Sequence, residues 1–170
     1  MKRFAVAAIC AVFVLVGAPP RARAQSFFGG LPIDTIHCET IEGAVEHIHS
    51  HLQLFDRGQP VSIPAGVGIP PGGSCLYWVH THTNDGIVHI ESPNTHPFTL
   101  GQFFDIWGMS LDVGHAAGVK APRGRTLSVW VNGRPYRGNP RSIVLRDREE
   151  IVIQNGPPFA KPSKYDWSKL

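Results

Sequence analysis

Hydrophobic and polar residues alternate with a period of two along much of this chain. Such a period predicts β-strands, because successive side chains of a strand point to opposite faces. The alternation begins at about His47, where apolar residues are interleaved with His47, His49, His51 and Gln53. A helical face that starts at Ile41 competes for the same residues, and we favour the strand because the alternation continues for several residues.

Turn residues separate further segments of this kind. The later predicted strands are residues 60–64, 76–82, 87–91, 126–131, 142–145 and 150–154. One short helix, Leu100–Trp107, is predicted between the capping residue Thr99 and the stop at Gly108. Short strands at this spacing predict a mostly all-β domain, namely a β-sandwich, a jelly roll or a small barrel with one short helix.

The first residues have the three-part layout of a secretory signal. Lys2 and Arg3 precede an apolar run, residues 4–18, and small residues at 22–24 offer a cleavage site. We expect a signal peptide at 1–24, a flexible leader at 25–33, the histidine-rich β domain at 34–156 and a disordered tail at 157–170. The apolar run is too short for a membrane span, so a periplasmic or secreted protein without an integral span is predicted.

Removal of the signal changes the interpretation of the net charge. Four of the 16 basic residues leave with it, so 12 remain against 13 acidic residues, and the charge changes from +3 to −1. The basic character that would indicate nucleic-acid binding therefore comes from the discarded segment. The expected partner is a metal ion rather than a nucleic acid, and the sequence indicates no particular protein partner.

Cys38 and Cys75 are the cysteines that remain after cleavage. In an oxidising compartment such a pair predicts a disulfide. The alternative is that both thiolates bind a soft metal. Neither cysteine lies in a C-x-x-C or C-x-H arrangement, which favours the disulfide.

The histidines carry the chemistry that the sequence predicts. One predicted strand places three histidines on one face, and another places two on one face. Neutral imidazole is a usual ligand of zinc, copper, iron and nickel. The predicted transition-metal ligands are His47, His49, His51, His80, His82, His89 and Glu91.

The hairpin around Asp85 and Gly86 allows several registers, and a three-residue bulged loop would move His89 off the shared face. A two-residue turn would place His82 opposite His89 and His80 opposite Glu91, whereas a four-residue loop would place His80 opposite His89. Facing residues have Cβ atoms about 5 Å apart, so either register gathers imidazoles on one patch. We take His80, His82 and His89 as the first ligands. The other ladder of histidines, His47, His49 and His51 on the earlier strand, either completes their site or forms a second one.

Several segments around these histidines resemble an uncharacterised family of exported, histidine-rich bacterial proteins. The segments are HIHSHL at 47–52, VHTH at 79–82, GIVHIESP at 86–93 and TLGQFFDIWG at 99–108. The resemblance spans residues 45–108 and implies a bacterial origin and a shared site, but no activity. A looser similarity is to cupins, whose first motif also places two histidines one residue apart before a glutamate, although the downstream glycine and histidine spacing is not met here.

The function that these patterns favour is exported binding of copper or zinc, for sequestration or delivery. A cupin-like metal-dependent oxidoreductase or oxygenase is one alternative, and it would need a pocket walled by Tyr77, Trp78 or Phe104 beside an incomplete ligand set. The other alternative is a structural or interaction module of the cell envelope, in which the histidines hydrogen-bond one another.

Overall fold

Short β-strands dominate the structure, a computed structural model that describes residues 30–170. The predicted signal peptide lies outside the described residues. In chain order the strands are β1 (Cys38–Glu39), β2 (Glu46–Asp56), β3 (Gln59–Val61), β4 (Leu76–Tyr77), β5 (Val79–His80), β6 (Ile87–Ser92), β7 (His115–Ala116), β8 (Val119–Lys120), β9 (Ser128–Val131), β10 (Arg134–Tyr136) and β11 (Glu149–Asn155). Within residues 30–170 there is one α-helix, α1, which covers Leu100–Trp107. The predicted mostly-β class with one short helix is confirmed.

Seven of the strands form one sheet in the order β10-β9-β11-β2-β6-β5, with β3 also paired to β2. All neighbours in it are antiparallel except β11 and β2, which run parallel from the pair Glu149 and Ser50 to the pair Asn155 and Asp56. Two-stranded sheets, β1 with β4 and β7 with β8, lie apart from it. The parallel pair was not expected, since the β-sandwich, jelly roll and small barrel predicted from the sequence are antiparallel.

Alternation along β2 separates the core from the histidine face. Leu52 and Leu54 are almost fully buried and belong to the hydrophobic core, together with Ile90 of β6 and Ile151 of β11. The odd-numbered residues from His47 point to the opposite face. The strand therefore prevails over the competing helical face, because pairing with neighbours on both sides buries its apolar residues.

Helix α1 has the bounds that its capping residues predict. The Thr99 hydroxyl accepts a hydrogen bond from the Gln102 backbone N–H, and the Gln102 side chain accepts one from the Thr99 N–H at 2.8 Å. Gly108 ends the helix in the left-handed conformation, with φ of 72°. Phe104 and Ile106 are fully buried in the core. No helix within residues 30–170 has the length and apolar character that crossing a membrane requires.

The strand predicted at 142–145 is wrong. A 3₁₀ helix occupies Pro140–Ser142, and only an isolated bridge joins Val144 to Thr99. Pro140 favours this turn because its fixed φ suits the first helical position. The side chain of Asn139 then accepts a hydrogen bond from the next free backbone N–H, that of Arg141, at 3.0 Å.

The predicted disulfide between Cys38 and Cys75 is confirmed, with the two Cα atoms 5.4 Å apart. It joins β1 to the residue just before β4, and these two strands also pair with each other. The thiolate alternative is wrong, because both sulfur atoms are used in the bond. A disulfide fits an extracytoplasmic protein.

Residues 157–170, for which the sequence predicts a disordered tail, lie against the large sheet in the structure. The Gln53 side chain donates a hydrogen bond to the Ser163 carbonyl at 2.7 Å, and the Tyr165 backbone N–H donates one to Glu150 at 2.9 Å. The segment therefore crosses the same face of the sheet that carries the odd-numbered residues of β2.

Candidate metal centre

The strand order places the two histidine ladders, on β2 and on β5, on either side of β6 in one sheet. In the register, His49 of β2 lies opposite His89 of β6, and His89 in turn lies opposite His80 of β5. Glu91 lies opposite His47 in the same β2–β6 pair. The ladders, which the sequence left as either one site or two, are thus neighbours across three strands.

The pairing of His80 with His89 is the one that the longer hairpin loop predicts. The two-residue turn, which would have paired His82 with His89, is wrong, because residues 81–86 all lie outside the paired strands. The Asp85 carboxylate accepts hydrogen bonds from the Thr83 hydroxyl at 2.6 Å and from the Ile87 backbone N–H at 3.2 Å. These bonds stabilise the wider loop.

The Glu91 carboxylate lies at the centre of the cluster and is only 3% exposed. Its Oε1 atom faces four imidazole nitrogens: His89 Nδ1 at 3.2 Å, His47 Nε2 at 3.4 Å, His82 Nε2 at 3.9 Å and His80 Nε2 at 4.0 Å. Its Oε2 atom is buried and has no hydrogen-bond partner among the described residues. One carboxylate oxygen therefore lies within 4.0 Å of four imidazole rings.

His80 is completely buried, and its tautomer follows from one contact. Its Nδ1 atom lies 2.8 Å from the Tyr77 carbonyl oxygen, which can only accept, so Nδ1 carries the hydrogen and Nε2 keeps its lone pair. That lone pair faces His82 Nε2 at 3.1 Å. Two nitrogens bound at about 2.0–2.1 Å to a tetrahedral ion lie about 3.3 Å apart, so this separation suits a shared ion.

Two sets of side chains place one ligand atom each within 4.8 Å of the others. The first set, here called the buried group, is His80, His82, His89 and Glu91. The second set, here called the outer group, is His47, His49, His89 and Glu91. Both sets offer three imidazoles and a carboxylate, the ligand types of borderline transition metals.

Burial dominates the electrostatics of the cluster. It lowers the pKa of His80 to about 4 and, with the neighbouring imidazoles, the pKa of His89 to about 3, so both rings are neutral at pH 7. Burial also lowers the pKa of His49. Burial and the nearby Glu42 raise the pKa of Glu91 to about 7. The neutral rings present lone pairs, and the carboxylate favours a cation beside it.

His51 is the one predicted ligand that the structure does not bring into either group. Its Nδ1 atom lies 2.6 Å from Glu150 Oε2, and its ring packs on Tyr165 with centroids 5.1 Å apart. The parallel pairing of β11 with β2 places Glu150 directly beside His51. The structure thus brings six of the seven predicted residues together and gives His51 separate partners.

Sequence reasoning missed two contributors to the site. Glu42 Oε1 lies 3.6 Å from His82 Nε2, and the Tyr77 carbonyl orients His80. Glu42 lies five residues before His47 in the sequence, but no alternation of apolar and polar residues relates it to His82. Tyr77, Trp78 and Phe104, considered as walls of an enzyme pocket, are buried in the hydrophobic core.

The fold and the site define a mostly-β, disulfide-containing protein with histidine and glutamate groups that could hold a metal ion. No protein-family model, no curated protein and no solved structure matches the chain in the corresponding comparisons.

Proposed function

We propose that this protein is exported and binds a copper or zinc ion through His80, His82, His89 and Glu91, for sequestration or delivery. The observation that carries the proposal is the position of Glu91, whose Oε1 atom faces four imidazole nitrogens within 4.0 Å. A buried carboxylate ringed by neutral imidazoles is an arrangement that a cation stabilises strongly.

Hydrogen bonds alone do not satisfy this cluster. Oε2 of Glu91 is buried and has no donor among residues 30–170, and the rings of His80 and His89 are neutral at pH 7. A purely structural histidine network would be expected to satisfy its buried carboxylate, since an unpaired buried polar group costs about 1–3 kcal/mol. A bound metal ion would supply a positive charge beside the Glu91 carboxylate. It would also accept lone pairs from the neutral imidazole rings.

The donor set supports copper or zinc over calcium or magnesium. Calcium and magnesium prefer six or more oxygen ligands, whereas this cluster offers mostly nitrogen. Three imidazoles with one carboxylate fit the four-coordinate geometry of zinc and the nitrogen preference of copper. The hydrogen bond from His80 Nδ1 to Tyr77 is the kind of outer contact that orients ligand histidines.

Partial exposure of the site supports uptake and release of the ion. The side chain of His82 is 39% exposed and that of His47 is 57% exposed, while His80 is completely buried. One wall of the site is therefore buried and the other is open to solvent. Such an opening supports exchange of an ion with a partner or the surroundings, which sequestration or delivery requires.

Export is supported by the Cys38–Cys75 disulfide, which persists in oxidising compartments. The signal layout at residues 1–24 and the resemblance to exported bacterial proteins point the same way. Fractionation of the native host cells would test this part of the proposal, because a full-length protein found in the cytoplasm would contradict it.

Elemental analysis of the mature protein, purified without a histidine tag, tests the metal directly. We expect a transition metal to co-purify, and calorimetric titration of the stripped protein with Zn²⁺ and Cu²⁺ to restore it. The double variant His80→Ala/His82→Ala should lose the tight site. The matched control His96→Ala/His115→Ala removes two histidines outside both groups and should titrate as the wild type does.

Near-ultraviolet circular dichroism would show that the variants keep their tertiary packing. If the wild-type protein neither carries nor takes up a metal, or if the His80→Ala/His82→Ala protein binds as tightly as the control, the proposal is overturned.

A further inference from the structure

A cavity lies on the same face of the sheet as the histidine cluster, beyond His51. Its volume is about 1010 Å³, and it is bounded by β2, β9 and β11 on one side and by residues 159–167 on the other. Pockets for small organic ligands have volumes of about 300–1,000 Å³, so the space is large enough for one such molecule.

The lining of this cavity is aromatic and aliphatic. Val152 of β11 and Trp130 of β9 pair in the register and form the floor, and Phe159, Tyr165 and Trp167 come from the C-terminal segment. Trp130 is 37% exposed and Phe159 is 56% exposed. Large rings left open to solvent on facing sides of a cavity mark a place where an apolar molecule gains stabilisation by burying them.

The rim of the cavity is positive. Lys161 and Lys164 line it, and within residues 30–170 neither has a carboxylate oxygen within 4.0 Å. Glu150 also lines it, but its two oxygens already accept from the Tyr165 backbone N–H and contact His51 Nδ1. Arg148 lines the cavity as well and pairs with Asp147 at 3.7 Å, so three cations face one carboxylate and the lining has a net positive charge.

We infer that this cavity is a binding site for a small organic anion with an aromatic body. The rings of Trp130 and the C-terminal segment would enclose the body, and Lys161 and Lys164 would pair with its acidic group. The contact of His51 with Glu150 and Tyr165 separates this cavity from the histidine cluster, so the inference does not depend on a bound metal.

The test uses two dyes that share a ring system and differ in charge. These are 8-anilinonaphthalene-1-sulfonate and its uncharged analogue N-phenyl-1-naphthylamine, each titrated into the folded wild-type protein by fluorescence. We expect one saturable sulfonate site per chain, with transfer of energy from the tryptophans that line the cavity. Lys161→Ala/Lys164→Ala should weaken the sulfonate by about tenfold and leave the uncharged dye unchanged.

The control Lys120→Ala/Arg123→Ala removes two cations from another part of the surface and should leave both dyes unchanged. Trp130→Ala should weaken the binding of both dyes. Its circular dichroism should match that of the wild type, which would show that the variant is folded. The inference is overturned if the two charge variants bind the sulfonate equally well, or if it binds at many weak sites. Concentration-dependent dimerisation that protects Trp130 from quenching would identify a second copy of the chain as the occupant, and would overturn it too.

Discussion

His49 and His89 face each other across β2 and β6, with ring centroids 4.7 Å apart and planes almost perpendicular. His89 also stacks on His80, with centroids 5.6 Å apart. His89 is the histidine shared by the buried group and the outer group, and it joins two ladders whose nearest members, His51 and His80, are 29 residues apart in the chain.

Loss of His89 should weaken metal binding more than loss of His47, which belongs to the outer group alone. We expect His89→Ala to lower the Zn²⁺ affinity by at least about 100-fold, the upper range for changes in outer contacts of a metal site. His47→Ala should have a smaller effect, because the buried group keeps all its ligands. Competition titration with a chelator measures both, and equal losses would contradict the central position of His89.

Metal affinity should fall below pH 7 chiefly because Glu91 takes up a proton. Its pKa is raised to about 7, whereas His80 and His89 titrate at about 4 and about 3. This one proton contributes about a tenfold loss of affinity per pH unit below pH 7. Calorimetry at several pH values should show a shallower slope for Glu91→Gln, and an unchanged slope would contradict the role of this carboxyl group.

The stability of the metal-free protein should fall as the pH drops from about 6.5 to about 5. The unfolded chain binds protons on His80 and His89 in this range, since their folded pKa values lie below the ordinary value of 6.5. Glu91 acts in the opposite sense, because its folded pKa lies above the ordinary 4.5. Two imidazoles outweigh one carboxyl group, so the net effect is destabilisation by acid.

Glu91→Gln removes the opposing contribution and should make the acid destabilisation steeper. Urea unfolding of the stripped wild-type and variant proteins at each pH measures the difference. A variant with a flatter pH dependence than the wild type would show that the assumed protonation states are wrong.

The disulfide should contribute about 4 kcal/mol to the free energy of unfolding. Cys38 and Cys75 are 37 residues apart, and closing a loop of this length restricts the unfolded chain by about that amount in the entropic model. Denaturant unfolding of Cys38→Ser/Cys75→Ser against the wild type measures the contribution. A loss below about 1 kcal/mol would mean that the unfolded chain is already restricted.

Gly86 should tolerate alanine much less well than Gly66. Both residues have positive φ values, 87° and 75°, so both variants carry the strain of a left-handed conformation. A Cβ atom on Gly86 would also lie 2.4 Å from the Leu52 carbonyl oxygen, whereas one on Gly66 has no atom within 4 Å. Gly86→Ala should therefore be destabilised by about 1–3 kcal/mol more, measured by thermal unfolding. Equal melting temperatures would contradict this.

The parts of the fold that sequence predicts well are those determined by neighbouring residues. Strand β2 follows from alternation, and helix α1 follows from Thr99 and Gly108, since each signal acts within one element. The proximity of His80 and His82 was also predictable, because one residue separates them in the chain. Their contact with the β2 ladder depends on which strands become neighbours, and a period of two carries no information on that choice.

His51 shows this limit most clearly. Its alternation is the same as that of His49, yet its partner is Glu150, 99 residues further along the chain. Only the parallel pairing of β11 with β2 distinguishes the two histidines. The hairpin register was open for a related reason, because the turn residues around Asp85 are compatible with more than one loop length.

The parallel pairing also has a consequence for the order of folding. Strands β2, β5 and β6 all lie within residues 46–92, so the histidine cluster is built from pairings of modest sequence separation. The other edge of β2 stays unpaired until β11 reaches it from about 99 residues further along the chain, and pairings of such long separation form slowly. An ion bound early to the cluster would stabilise the pairing of β2, β6 and β5 before β11 pairs with the other edge of β2.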